Sequence, residues 1–282
     1  MKTNKNNLYL MWSLAIILCM VMSLFALIFT SCAKSDGTRV KDNDKKLPVS
    51  DEQTPEPEQT DDPGPTSEPE PETVPTRLAE TADAGSEYLD KIVFLGDSTT
   101  YGLKFYEMLS GGKETKQVWT PESGTLALFN QSFATIVYPE TGEEIPITDA
   151  VERSKPEYMV ITLGVNGVAM MSEEDFTRDY TDLVTRIQEK SPDTKIILNS
   201  IYPVSSKYEH LDQINNDKIQ QANVWVEKIA EDTGVRFLNT YESIVGSDGW
   251  LPLEYENGGD GMHLNPAGFN VVLNYIKTHE YK

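Results

Sequence analysis

Cysteine is nearly missing from this 282-residue chain: it has two, Cys19 and Cys32, both near the amino end. Everything after Cys32 is therefore without a disulfide, a thiolate zinc site or a cysteine nucleophile. Histidine is scarce too. His210, His263 and His279 are the three in the chain, and their separation matches no metal-ligand spacing. Positive charge is short, with 24 Lys and Arg against 45 Asp and Glu and a net charge of -21. The deficit persists from Tyr88 to the end, where 30 acidic residues face 16 basic ones. Such a surface repels polyanions and argues against nucleic acid as a partner, although it also serves plain solubility. Gly96 begins neither a dinucleotide-binding nor a P-loop glycine pattern, so neither of those cofactor sites is expected, and no cofactor or metal is.

Long hydrophobic runs are limited to one, Leu8 to Phe29, 22 residues preceded by Lys2 and Lys5. It is long enough to span a bilayer as a helix and longer than the usual core of a cleaved signal. It ends in Phe29-Thr30-Ser31-Cys32, which resembles a bacterial lipoprotein signal whose cysteine receives lipid, with Phe29 where an aliphatic residue is usual. Two outcomes stay open for residues 1–32: a signal lipidated at Cys32, or an uncleaved single-span anchor. Lys34, Arg39, Lys41, Lys45 and Lys46 follow the run, and the positive-inside rule alone would keep the rest of the chain in the cytoplasm. Against that stands the spacer. Eight of the 16 prolines lie between Pro48 and Pro75, interleaved with Glu56, Glu58, Glu68, Glu70 and Glu72. Proline blocks helix and ladder while the carboxylates repel one another, so residues 33–86 are expected to be an extended, unfolded linker. A proline-motif ligand is the alternative use of the tract. A linker of this kind suits a domain carried across a cell-surface layer, and the expectation is a membrane-anchored, exported domain at 87–282.

After Tyr88 strand and helix patterns alternate, which predicts an α/β domain with a mainly parallel sheet. Strands are expected at Lys91–Leu95, Gln117–Thr120, Tyr158–Leu163, Lys195–Ile201 and Val235–Leu238. Helices are expected from Tyr101 to Leu109, after a Ser172 cap along the stripe Phe176, Tyr180, Leu183, Val184 and Ile187, from Ile214 to Thr233, and from Pro266 to Thr278 behind Asn265. Phe133–Pro139 and Glu144–Ile147 read as a hairpin around Thr141 and Gly142.

Three short segments carry chemistry. Phe94-Leu95-Gly96-Asp97-Ser98-Thr99-Thr100 sits where the first strand ends and a helix begins, the edge at which open α/β sheets bind ligands. A serine there is a candidate nucleophile, with its own N–H aimed at a developing oxyanion; alone, the triplet also fits a turn that caps the helix. Asp260-Gly261-Met262-His263 spaces a carboxylate three residues from an imidazole, which lets it fix the ring's tautomer; His263 alone reads as a solvated loop histidine. Leu163-Gly164-Val165-Asn166-Gly167 ends the strongest strand, and Asn166 is either an oxyanion donor or a turn residue.

In this order, Gly-Asp-Ser, Gly-x-Asn and Asp-x-x-His, the chain resembles the SGNH (GDSL-like) hydrolases across nearly all of residues 88–282. The resemblance implies a flavodoxin-like three-layer α/β/α fold and metal-free ester hydrolysis through an acyl-serine. It implies Ser98 as nucleophile, His263 as general base, Asp260 as its orienting carboxylate, and Asn166 with the Ser98 N–H as oxyanion donors. Gly124 is the candidate for the further glycine donor. The chain departs from the family in having Gly167, where Asp commonly follows the asparagine.

An ordinary α/β-hydrolase elbow needs Gly-x-Ser-x-Gly, and Thr100 occupies its last position. A catalytically silent surface-binding module of the same fold is the alternative outside enzymes. The expected substrate is an O-acyl ester, with acetyl foremost, on a cell-envelope or environmental glycan; a lipid esterase or thioesterase is the alternative within enzymes. Membrane contact is expected through the amino-terminal segment alone.

Overall fold

A computed structural model describes residues 75–282. The expected signal or anchor at 1–32 and most of the expected linker lie outside the described residues. Among the described residues no helix is long and apolar enough to cross a membrane.

The chain runs α1 (Gly85–Leu89), β1 (Ile92–Gly96), α2 (Ser98–Phe105), β2 (Val118–Trp119), β3 (Thr135–Val137), β4 (Glu144–Pro146), α3 (Ile147–Ser154), β5 (Tyr158–Thr162) and α4 (Val165–Val168). It continues through α5 (Glu173–Lys190), β6 (Lys195–Asn199), α6 (Asn216–Thr233), β7 (Arg236–Leu238), α7 (Tyr241–Ile244) and α8 (Pro266–Lys277). The main sheet has the order β2-β1-β5-β6-β7, and every pairing is parallel. Leaving out the β3–β4 hairpin, that is the 2-1-3-4-5 order of a flavodoxin-like fold, whose switch point lies between β1 and β5.

Helices cover both faces because successive residues of each strand point to opposite sides. Leu95, Met159, Ile161, Ile196 and Leu198 join a core built with Ala150, Phe176, Tyr180, Ile219 and Val226 from α3, α5 and α6. Phe94, Val160, Ile197 and Leu238 pack on the other face with Tyr88, Leu103, Ile244, Phe269 and Val272 from α1, α2, α7 and α8. All five residues of β5 are buried, as an inner strand covered on both sides requires.

Caps form at Ser172 and Asn265 as expected, and also at Asn215, which the expected helix from Ile214 placed inside. Ser172 accepts the Asp175 N–H at 3.1 Å, Asn215 accepts that of Lys218 at 3.0 Å, and Asn265 accepts those of Ala267 and Gly268. The hairpin forms, with Ile136 opposite Ile145.

Two expectations need correction. Helix α2 begins at Ser98, not Tyr101, because Asp97 caps it by accepting the Thr99 N–H. The domain also begins before residue 87. Arg77 bridges Phe237 in parallel, Phe237 donates to the Thr76 carbonyl at 2.9 Å, and Leu78 donates to the Phe237 carbonyl at 2.9 Å. Leu78 is buried, and the Arg77 guanidinium grips Glu227 of α6 with two hydrogen bonds. A polar, proline-flanked composition hid this strap, whose side chains contribute one apolar residue and one ion pair beside the backbone bonds.

Candidate active site

β1 ends at Gly96, and the chain turns through Asp97 into α2, which puts Ser98 at the first helical position. Ser98 Oγ lies 2.8 Å from His263 Nε2, and Asp260 Oδ2 lies 2.8 Å from His263 Nδ1. An ionised carboxylate only accepts, so Nδ1 carries the proton and neutral Nε2 is left to accept from the serine hydroxyl. The structure thus brings Ser98, His263 and Asp260 together from segments 165 residues apart.

The segment bearing His263 is fastened at many points. Asp260 Oδ1 accepts the N–H groups of Met262 and His263 at 2.8 and 2.9 Å. The His263 carbonyl accepts from the Asn257 N–H, and the Gly261 carbonyl from the Ser205 N–H at 2.7 Å. Gly261 sits at φ +75°, and a Cβ there would meet the Tyr208 backbone at 2.6 Å, so no larger residue fits the turn. Beneath it the buried Glu256 carboxylate accepts the Gly261 N–H at 3.0 Å and the Ser205 hydroxyl at 3.2 Å. Sequence reasoning missed Glu256: a single glutamate in a loop carries no signal that it points inward.

The two carboxylates flanking the serine sit in opposite electrostatic conditions. Asp97 is 1% exposed, and burial pushes its carboxyl up to about 6 despite hydrogen bonds from the Thr99 hydroxyl and N–H. At Asp260 burial pulls the same way, but the N–H groups of His263 and Met262 and the His263 ring overcome it and hold the carboxyl below its ordinary value.

On the other side of Ser98 lies the end of β5. Gly96 and Thr162 are register partners, so Ser98 and Asn166 emerge from neighbouring strands at one edge. The Asn166 amide donates to the Leu126 carbonyl at 3.3 Å, its one hydrogen bond among the described side chains. The Ser98 N–H, first in its helix, has no acceptor among the described residues. Gly124 does not suit the donor role expected of it. Its N–H donates to the Pro121 carbonyl at 2.8 Å inside a turn, and a Cβ on it would meet the Tyr101 ring at 3.5 Å.

A pocket of about 240 Å³ opens beside Ser98 and His263, walled by Tyr101, Phe105, Tyr106, Asn257, Leu264 and Phe269. Its floor depends on Gly102, where a Cβ would meet the Phe269 ring at 2.5 Å. A smaller cavity, about 10 Å³, lies on the β5 side of the same turn, against Asp97, Thr99, Leu163, Val165 and Met262. Among the described residues no cluster of three or more His, Cys, Asp or Glu side chains is arranged to hold a metal ion.

Residues 94–271 match the model of the GDSL-like lipase/acylhydrolase family. No curated protein matches the sequence. Among solved structures the chain is similar to a Streptococcus pneumonia protein provisionally described as a platelet activating factor, at 19% identity, covering 72% of this chain and 93% of that one with a TM-score of 0.49. It is also similar to a GDSL-like lipase from Bacteroides thetaiotaomicron, at 20% identity, 67% and 87% coverage and a TM-score of 0.45. An acetyl xylan esterase matches at 15% identity, 65% and 96% coverage and a TM-score of 0.47.

Proposed function

The chain belongs to the GDSL-like lipase/acylhydrolase family, and from that premise we propose that it cleaves O-acetyl esters of a glycan through an acyl-serine on Ser98. One observation carries the reading of the site: the continuous hydrogen-bonded line Ser98–His263–Asp260, each link 2.8 Å long. His263 Nε2 takes the hydroxyl proton as Ser98 Oγ adds to the ester carbonyl, and Asp260 balances the imidazolium that forms. The carbonyl oxygen becomes an oxyanion, received by the Ser98 N–H at the amino end of α2 and by the second amide N–H of Asn166. His263 then gives its proton to the departing alcohol oxygen. Water, deprotonated by the same nitrogen, releases the acid and restores Ser98.

The β5-side cavity, about 10 Å³ and bordered by Asp97, Thr99, Leu163 and Val165, has room for about one water and sets no acyl length. The apolar walls of the larger pocket favour a second reading, an ester of an apolar alcohol or lipid. The anchor and export expected for residues 1–86 remain part of the proposal, supported by the 22-residue apolar run and the acidic proline-rich tract. Labelling cells with a radioactive fatty acid separates the two forms of anchor: a lipidated signal incorporates label that Cys32→Ala abolishes, and a spanning helix incorporates none.

The activity is tested with an aryl acetate and the full chain. Wild type turns it over, Ser98→Ala does not, and acetate appears from acetylated polysaccharide. Turnover that survives Ser98→Ala sinks the mechanism.

A further inference from the structure

The larger pocket has a direction. It is bordered by Ser98 and His263 and by residues that follow or face His263, namely Asn257, Leu264, Phe269 and the α2 rings. Neither Asn166 nor Leu126, at the oxyanion side, borders it. In ester cleavage the departing oxygen must reach the nitrogen that holds the serine proton, so the alcohol half of the substrate lies on the His263 side. The carbonyl oxygen lies across from it, toward Asn166.

The walls have a chemistry as well. Tyr101 and Phe105 project from α2 while 40% and 61% exposed, and their rings stand 6.4 Å apart. Phe105 meets Tyr106 edge to face at 4.9 Å, and Tyr106 meets Phe269 at 6.2 Å. A row of aromatic rings leading from the nucleophile is apolar surface left uncovered in the free protein. Polar groups stand among them, the Tyr101 and Tyr106 hydroxyls and the Asn257 amide. The Tyr106 hydroxyl donates to Asn257 Oδ1 at 2.9 Å, and the Asn257 amide nitrogen has no acceptor among the described residues. At about 240 Å³ the space falls below the roughly 300–1,000 Å³ of drug-sized ligand sites, so it accepts one ring and not a long chain.

We infer that this pocket is the alcohol subsite, that it selects an alcohol presenting one ring-sized apolar face, and that Tyr101 and Phe105 set the preference. The inference rests on the triad reading above and adds to it which half of the ester is sorted. A pyranose C–H face and a carbocycle share that chemistry; the Asn257 amide adds a donor that a sugar hydroxyl can use.

The test holds the acyl group at acetyl and varies the alcohol among ethanol, cyclohexylmethanol and a methyl glucoside acetylated at its primary hydroxyl, primary alcohols of similar acidity. A parallel series holds ethanol and lengthens the acyl group to butyryl. The full chain is expected to favour a ring-bearing acetate over ethyl acetate by about tenfold or more in kcat/KM, the effect of burying two or more methylene groups. A gain for both rings identifies the shared face, and a gain for the glucoside alone identifies the sugar. In Phe105→Ala and Tyr101→Ala the ring-to-ethyl ratio is expected to fall severalfold. Equal rates across the alcohols, or a gain that follows acyl length instead, overturns the subsite while Ser98→Ala still abolishes turnover. Activity that persists in Ser98→Ala removes the triad reading beneath it, a separate outcome.

Discussion

On one side of Ser98 the His263 segment is tied down by Asp260, Asn257, Ser205 and the buried Glu256, through bonds of 2.7–3.2 Å. On the other, the Asn166 amide is steadied by a single 3.3 Å bond to Leu126. The two sides have different tasks. Proton transfer requires a hydrogen-bonded line before substrate arrives, and a misplacement of about 1 Å can cost on the order of a hundredfold in rate. An oxyanion donor has nothing charged to meet until the transition state, when its bond shortens and strengthens. The lesson is that this site is preorganised on its acid–base side and adjustable on its donor side.

The strongest way to break that contrast is to disable the base. Asp260→Asn leaves the ring without an acceptor for its Nδ1 proton and favours the wrong tautomer, so kcat is expected to fall by about 10⁴ with melting temperature nearly unchanged. Turnover within tenfold of wild type would take Asp260 out of the site. Next is Asn166→Ala, for which kcat should drop by about a hundred- to a thousandfold while KM moves little. Normal kcat in a folded variant would make Asn166 a turn residue and leave the Ser98 N–H to act alone.

Glu256 probes whether the fastening matters. Glu256→Ala leaves the Gly261 N–H buried without an acceptor, a loss of about 1–3 kcal/mol, and frees the His263 turn. The expected result is a lower melting temperature and a drop of about tenfold in kcat, largely restored in Glu256→Gln, whose amide oxygen still accepts from Gly261. If the Ala variant keeps full kcat, Asp260 alone positions the imidazole.

The smallest effect on rate is expected at Asp97. Its folded carboxyl ionises at about 6, above the 3.8 of the unfolded chain. The folded state therefore binds the extra proton, and this contribution to stability is complete below about pH 4 and lost as pH rises through about 6. Thermal melting of wild type and Asp97→Asn across pH 4–7 tests it. The wild type should lose a component of stability that the Asn variant lacks. Parallel curves for the two would show that Asp97 carries no such shift.

Much of this was legible in the sequence because the signals were local. Ser172 and Asn265 are short polar side chains directly ahead of apolar periodic runs, and a cap needs no more than that. Tyr158–Leu163 is apolar apart from Thr162, as suits a strand covered on both faces. His263 stood out because histidine is scarce, and Ser98 and Asp260 because of the short motifs in which they sit. What stayed hidden depends on distant partners. Glu256 is inward because Gly261 and Ser205 meet it, Gly124 is occupied because Pro121 lies in its turn, and the pocket exists because Gly102 lets Phe269 approach. Ser98 as the first helical residue was missed for a simpler reason: Thr99 and Thr100 are weak helix formers, and the Asp97 cap outweighs them.

The strap at Thr76–Leu78 lies parallel to β7, so it travels in the same direction as the strands. Its earlier end therefore points to the rim where the strands begin, and Ser98 stands at the rim where they end. A bead or sensor chip coupled ahead of residue 75 would hold the domain by its back and leave the mouth toward the medium. Coupling through Lys104, on the helix that walls the pocket, would crowd the entrance instead. Which handle is chosen for immobilisation thus decides whether a large acetylated polymer can still reach Ser98.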